Sequence, residues 1–212
     1  MTNVLILGAG GQIARHVINT LAGDSDVHLT LFARNPAKFT GRVSANADIV
    51  QGDVLDTAKL EVAVAGKDIV YANLSGLSLD DQAKAVIAAM QEKSVKRLIF
   101  VLSLGIYDEV PGKFGEWNRS IIGDDLKPYR RAADAIEASG LQYTILRPAW
   151  LTDEDEVDYT ITAKGEPFQG TIVSRRSMGD LIARIVMRPE LYADANLGVN
   201  KPNSDGDKPY FM

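Results

Sequence analysis

The sequence predicts an α/β fold built on a doubly wound parallel sheet, and three observations carry that expectation. Short, near-continuous apolar runs recur at residues 4–7, 27–33, 48–50, 69–72, 97–102 and 142–146, the pattern of strands buried on both faces. Helical patterns separate them at 12–21, 58–65, 79–92 and 127–138, an alternation that places helices on both sides of a parallel sheet. The first run breaks straight into Gly8-Ala9-Gly10-Gly11-Gln12-Ile13-Ala14, so a strand stops on glycines and restarts as a helix.

The glycines of this junction have separable tasks. Gly8 lets the chain turn sharply off the strand, Gly10 or Gly11 lets the backbone approach a phosphate oxygen, and Ala14 is small enough for the helix to lie close to the sheet. Gln12 and Ile13 open the helix, where unpaired amides and the positive end of the helix dipole gather. The stretch from Gly8 to Ile13 therefore suits the pyrophosphate of a dinucleotide. The competing reading is a tight strand-to-helix turn without a ligand, which also favours glycine.

The second strand arrives where a βαβ unit of ~30 residues places it, and it ends on Arg34 in Ala33-Arg34-Asn35-Pro36. An acidic residue there binds the ribose 2′-hydroxyl of NAD, whereas an arginine offers a planar guanidinium to the 2′-phosphate of NADP. Asp24 and Asp26 precede the strand and cannot take the acidic role. Arg34 thus points to NADPH in preference to NADH, with Lys38 as a second cation. Set against this, both also read as solvated turn residues.

Farther along, Ser78-Leu79-Asp80-Asp81 and Ser177-Met178-Gly179-Asp180 each place an acid three residues after a serine, marking two helix starts. Gly140 reads as a C-cap after the fourth helix. Residues 105–125 read as a long loop of the kind that covers or binds a ligand. After Arg147-Pro148 the alternation lapses. An acidic turn at 153–156, short strands at 158–162 and 171–174, a helix at about 178–187 and a last strand at 196–199 follow. The expected organisation is one domain over residues 1–212, with 147–176 forming part of a small substrate-side lobe. Trp117, Trp150, Tyr159 and Phe168 fall in segments expected above the sheet's carboxyl edge, as an aromatic wall for a flat substrate or as packing for the lobe.

Composition narrows the field. With 46% hydrophobic and 24% charged residues the chain reads as globular rather than disordered or fibrous. A net charge of -5 without a lysine or arginine cluster excludes a general nucleic-acid surface. The absence of cysteine removes disulfides and thiolate chemistry, and two histidines, His16 and His28, are too few and poorly spaced for a metal site. No apolar run approaches the roughly 20 residues of a membrane span, and no signal-length segment opens the chain, so a cytoplasmic location is expected.

The residues resemble the atypical short-chain dehydrogenase/reductase family, in its small NmrA-like NAD(P)H-binding branch of NADH-flavin or quinone reductases. Five stretches carry the resemblance: residues 5–14, Arg34, Gly52-Asp53-Val54-Leu55-Asp56, Ser103-Leu104-Gly105, and Ser139-Gly140-Leu141-Gln142-Tyr143-Thr144-Ile145-Leu146-Arg147-Pro148. It implies that Asp53 and Val54 border the adenine and that Asn73, Leu74 and Ser75, up to Gly76, line the nicotinamide ribose. For Asp53 the plainer reading is a turn residue. The tyrosine and lysine that typical members of the wider superfamily space four residues apart are missing, since Tyr129 is followed by Ala133 and Tyr107 by Pro111. The alignment puts Tyr129 where the lysine would stand, as a cofactor contact.

Ser103, at the end of the fifth strand, and Tyr107 on the next loop are the candidate catalytic pair, placed to orient a carbonyl or quinone oxygen. Alternatively Ser103 is a strand-end cap and Tyr107 a packing residue. Two functions follow: an NADPH-dependent oxidoreductase acting on a small carbonyl, quinone or flavin, or a non-catalytic NADP(H)-binding redox sensor. Epimerase or dehydratase chemistry on a nucleotide sugar calls for a larger terminal domain. The oligomeric state is not read from the sequence.

Overall fold

Strand β1 (Thr2–Leu7), helix α1 (Gln12–Leu21) and strand β2 (Val27–Ala33) form the first βαβ unit of a computed structural model that describes residues 1–38 and 46–212. Leu5 to Leu7 are fully buried, as are Leu29 and Leu31, because both faces of these strands are covered. One turn of 3-10 helix, Pro36–Lys38, follows β2. The chain continues through β3 (Ala47–Gln51), α2 (Thr57–Val64), β4 (Ile69–Ala72), α3 (Leu79–Glu92) and β5 (Arg97–Val101). Then come α4 (Gly112–Ile122), α5 (Leu126–Glu137), β6 (Gln142–Pro148), β7 (Trp150–Thr152), β8 (Thr160–Ala163), β9 (Ile172–Ser174), α6 (Arg175–Met187) and β10 (Ala195–Asn200).

Eight strands form one sheet in the order β3-β2-β1-β4-β5-β6-β10-β8. All neighbours are parallel except β8, which runs antiparallel to β10. One core layer joins the sheet to α1 and α6, and the other joins it to α2, α3 and α5. The fold is the doubly wound α/β arrangement that the apolar pattern predicts. Its strand order reverses between β1 and β4, the switch point where open sheets of this kind hold ligands outside their carboxyl ends. A second, two-stranded sheet pairs β7 with β9.

Four local expectations are corrected. Residues 112–122 form helix α4 inside what reads as a loop. Gly112 and Gly115 obscure its pattern, but Gly115 packs so closely on the Val110 carbonyl that a Cβ would collide, while Phe114 and Asn118 are buried. Helix α6 begins at Arg175, two residues before Ser177, because Ser174 is the residue whose side chain caps it and Ser177 supplies the capped N–H. Gly140 does not cap α5: Ala138 holds that position, and Gly140, at φ +71°, turns the chain into β6. The acidic turn at 153–156 differs in part from a solvated one: Asp153 and Asp155 stay exposed while they pair with Arg175 and Arg176, but Glu154 and Glu156 are half-buried around Lys201. Among the described residues no helix is long and apolar enough to cross a membrane.

Candidate functional site

The carboxyl ends of β1, β2, β3 and β4 surround a cleft of about 760 Å³, within the range of small-molecule and cofactor sites. Gly8, Gly10 and Gly11 line its floor. Gly8 adopts φ +72°, and a Cβ there would strike the carbonyl of Asn73. At Gly11 a Cβ would strike the Asn73 carboxamide. The bend therefore needs glycine because the end of β4 crosses it, before any ligand is considered.

The amides of the bend divide into used and unused. Those of Gly8 and Ala9 donate to the Phe32 carbonyl at 3.0 and 3.2 Å, and that of Gly11 donates to Gly8 at 2.9 Å. The helix ladder starts with Arg15 donating to Gly11 at 3.1 Å. Among the described residues nothing accepts from the amides of Gly10, Gln12, Ile13 or Ala14, and Gly11 as N-cap has no side chain to do so. An uncapped helix start with free N–H groups over a glycine floor fits the phosphates of a dinucleotide. Gln12 is exposed and Ile13 is buried in the core, so these two can contribute amides there rather than walls.

Arg34, just past β2, and Asp53, past β3, are the lone cation and lone anion among the described lining residues. Arg34 is exposed and has no ion pair among the described residues. Asp53 accepts the Leu55 amide at 3.0 Å, the turn contact of its plainer reading, while still lining the cleft beside buried Val54. Asn73, Leu74 and Ser75 form the opposite wall. Lys38 closes the short turn after β2, and its side chain lies outside the described residues.

Several lining residues were missed by the sequence reading. Gly52 belongs to the cleft because the Phe32 ring lies where its Cβ would be. Ser78 and Gln82 enter from the start of α3, where the Gln82 amide donates to the Ser75 carbonyl and the Ser78 hydroxyl, both at 3.2 Å. Ser78 is the N-cap residue of α3, as its place in the sequence suggests, but its hydroxyl accepts from the Gln82 side chain and caps no amide, a contact a sequence alone does not carry.

Ser103, Tyr107 and Tyr129 are not among the residues lining this cleft. Ser103 follows β5 at the same sheet edge, half-buried, and its hydroxyl has no partner among the described residues. Tyr129 lies in the first turns of α5, half-buried against the core. The Tyr107 hydroxyl is engaged elsewhere: it donates to Glu137 at 3.2 Å and accepts from the Asn196 amide at 2.8 Å. The guanidinium of Arg130 and the ammonium of Lys164 sit 4.7 and 4.4 Å from its ring centre. Burial, reinforced by the nearby Glu137 carboxylate, pushes the phenol pKa well above its ordinary value. Such a hydroxyl gives up its proton reluctantly at neutral pH.

Beneath Tyr107 lies a buried ion pair between Arg147, 1% exposed, and Glu109, 6% exposed. Of the four aromatics, Trp117 and Trp150 come together with ring centres 4.9 Å apart, and Phe114 stacks on Trp117 at 6.1 Å. Phe168 is buried under Gly198, and the Tyr159 hydroxyl donates to Asp180 at 3.1 Å, so these two are committed to packing.

Comparison with known proteins agrees with this geometry. A protein-family model described as NAD(P)H-binding matches residues 8–189. The structure of a Rossmann-fold NAD(P)-binding family protein from Shigella flexneri is 59% identical and superposes over 100% of both chains with a TM-score of 0.88. A short-chain dehydrogenase/reductase from Veillonella parvula DSM 2008, solved in complex with NADP, is 27% identical over 99% of both chains with a TM-score of 0.89. An uncharacterized sugar epimerase of Bacillus subtilis, YhfK, is 30% identical over 76% of this chain and 78% of its own length. A 38-residue stretch, 18% of this chain, is 74% identical to protein YmjC of Escherichia coli and spans 63% of that relative. With the glycine bend, the uncapped helix and the switch-point cleft already in place, the chain belongs to the NAD(P)H-binding oxidoreductases of the atypical short-chain dehydrogenase/reductase, NmrA-like family.

Proposed function

We propose that this protein is an NADPH-dependent reductase whose acceptor is a flat quinone or flavin. The observation that carries the cofactor preference is Arg34, the lone cation among the described cleft-lining residues, exposed at the end of β2 and without an ion pair among the described residues. A guanidinium there is matched to a 2′-phosphate, and the cleft offers no carboxylate at that strand end to hold a ribose hydroxyl. The bound dinucleotide supplies hydride. The protein's share is to cradle the phosphates with the Gly8–Ile13 amides, to border the adenine with Asp53 and Val54, and to hold the nicotinamide side with Asn73, Leu74, Ser75 and Tyr129.

The acceptor class follows from which side chains can move a proton. The chain lacks the tyrosine-lysine pair, and the Tyr107 phenol is both occupied and resistant to deprotonation. A ketone reduced to an alkoxide needs an acid at its oxygen. A quinone does not, because its two-electron product is a phenol with a pKa of about 10 that collects its proton from water. Ser103 and the Trp117–Trp150 pair, in residues 147–176 and the helix facing them, supply a hydrogen-bonding hydroxyl and apolar area for such a ring.

The same missing acid favours the sensor, and one assay separates the two. NADPH consumption is followed with naphthoquinone, flavin mononucleotide and a simple aldehyde as acceptors. Turnover with the first two and little with the aldehyde supports the proposal. Tight NADPH binding with no turnover on any acceptor supports the sensor.

A further inference from the structure

Resting on the reductase reading, we propose that Glu109, locked by Arg147, is the positioning residue of the acceptor site. It folds the loop after β5 so that the amide and hydroxyl of Ser103 form a two-donor seat for an acceptor oxygen that gains negative charge.

The loop keeps a strand's alternation beyond the end of β5. Leu102 donates to the Leu146 carbonyl at 2.8 Å and Leu104 to the Pro148 carbonyl at 3.2 Å, both on β6. The amide of Ser103, between them, therefore points the other way, toward the end of β4 and the cleft wall formed by Asn73 to Ser75. Among the described residues nothing accepts from that amide, and nothing pairs with the Ser103 hydroxyl. Ser103 is only half-buried, so two adjacent donors that the fold leaves unused stand open to a group that enters beside the cleft wall.

The next amides show what holds this geometry. Gly105 donates to one carboxylate oxygen of Glu109 at 3.0 Å and Tyr107 to the other at 2.9 Å. Gly105, at φ +83°, makes the turn, and the Glu109 carbonyl accepts from Phe168 at 2.9 Å, fastening the loop to the lobe. Arg147 neutralises the carboxylate and is itself fixed by a 2.7 Å bond to Asn196. Burying both charges is costly, and an apolar pair of the same volume would fill the space. It could not gather two loop amides while leaving the Ser103 amide free.

The chemistry balances without a protein acid. A quinone receives two electrons and one proton as hydride from NADPH, leaving NADP+ and a hydroquinone anion, and water provides the second proton. The seat at Ser103 holds the oxygen that carries the charge in between, and donors fixed in advance favour that charge.

The test follows the Ser103 amide by NMR in NADP+-loaded protein as naphthoquinone is added. The resonance should move in wild type and stay still in Glu109→Gln, which keeps the side chain's shape and loses its charge. NADPH affinity, read from nicotinamide fluorescence, should be unchanged in the variant. In turnover, Glu109→Gln should lower kcat about tenfold with little change in KM, less than the roughly 100- to 1,000-fold of an oxyanion donor removed outright, because the donors are misplaced and not lost. Ser103→Ala combined with Glu109→Gln should be slowed by clearly less than the product of the two single effects. A wild-type Ser103 amide that ignores naphthoquinone overturns the seat whether or not turnover occurs. Equal responses in wild type and Glu109→Gln, or multiplicative kinetic effects with only a lowered melting temperature, overturn the positioning role. Failure of wild-type protein to bind NADPH overturns the reductase reading instead.

Discussion

The two ends of the sheet's carboxyl edge are built from different materials. At β1 and β2 the cleft is made mostly of backbone: among the described residues, three glycines, a run of free amides and a single cation, all within residues 8–34. At β5 and β6 the surface is held by side chains drawn from far apart, with Glu109, Glu137, Arg147, Lys164 and Asn196 joined through Tyr107. A site made of backbone depends on local chain shape. One made of ion pairs depends on whether distant segments meet, and it fails when one partner is lost.

The largest effect should therefore come from the second region. Arg147→Met leaves the Glu109 carboxylate buried without a cation, which costs about 3–5 kcal/mol, visible as a lower urea midpoint. Adding Glu109→Leu should recover much of that stability, because a well-packed apolar pair tolerates the space that a lone charge does not. If the single and double variants are equally unstable, Arg147 acts through its bulk, and the contrast between the two regions weakens.

A smaller and more selective effect belongs to the first region. Arg34→Asp should weaken NADPH about tenfold or more, roughly 1.4 kcal/mol per decade, while NADH changes little or gains. Arg34 is exposed and its side chain has no ion pair among the described residues, so stability should hold. Equal losses for the two cofactors, measured by titration of nicotinamide fluorescence, would show that the guanidinium does not meet the 2′-phosphate.

This difference in materials explains what could be read from the residues. The βαβ order, the boundaries of α1, β2, β4 and α3, and the glycine bend were legible because hydrophobic period and glycine spacing act over a few residues. Helix α4 was not, since two glycines and a lone buried asparagine disguise its inward face. Glu109 gave no signal at all: an acid beside Asp108 in a loop looks solvated until Arg147, 38 residues later, is brought to it by β6. Tyr107 read as a candidate for the acceptor because it follows Ser103 closely. The competing partners Glu137 and Asn196 lie 30 and 89 positions away. Gly52 was noticed for its motif, yet the reason for it, the Phe32 ring, belongs to the neighbouring strand.

The smallest effect tests the outer rim of the same network. Burial by itself would raise the Glu137 carboxyl pKa, but donors from Lys164 and Asn196 outweigh it and hold the group below its ordinary value. A carboxylate depressed in the folded state contributes stability that is fully present above its unfolded pKa, about 4.3, and is lost as pH falls through the lower folded value. Lys164 is 43% exposed, so the pair is screened and worth no more than about 1 kcal/mol. Glu137→Gln should therefore unfold slightly more easily at neutral pH, and its gap from wild type should close as the solution is acidified below pH ~4. Added salt should narrow the same gap. Tyr107→Phe removes the hydroxyl that Glu137 and Asn196 share, so it should cost about 1 kcal/mol of stability and leave naphthoquinone turnover intact. A gap for Glu137→Gln that ignores both acid and salt would assign the rim to packing. A steep loss of turnover in Tyr107→Phe would move the phenol from the network to the acceptor, and make the two ends of the edge one continuous site.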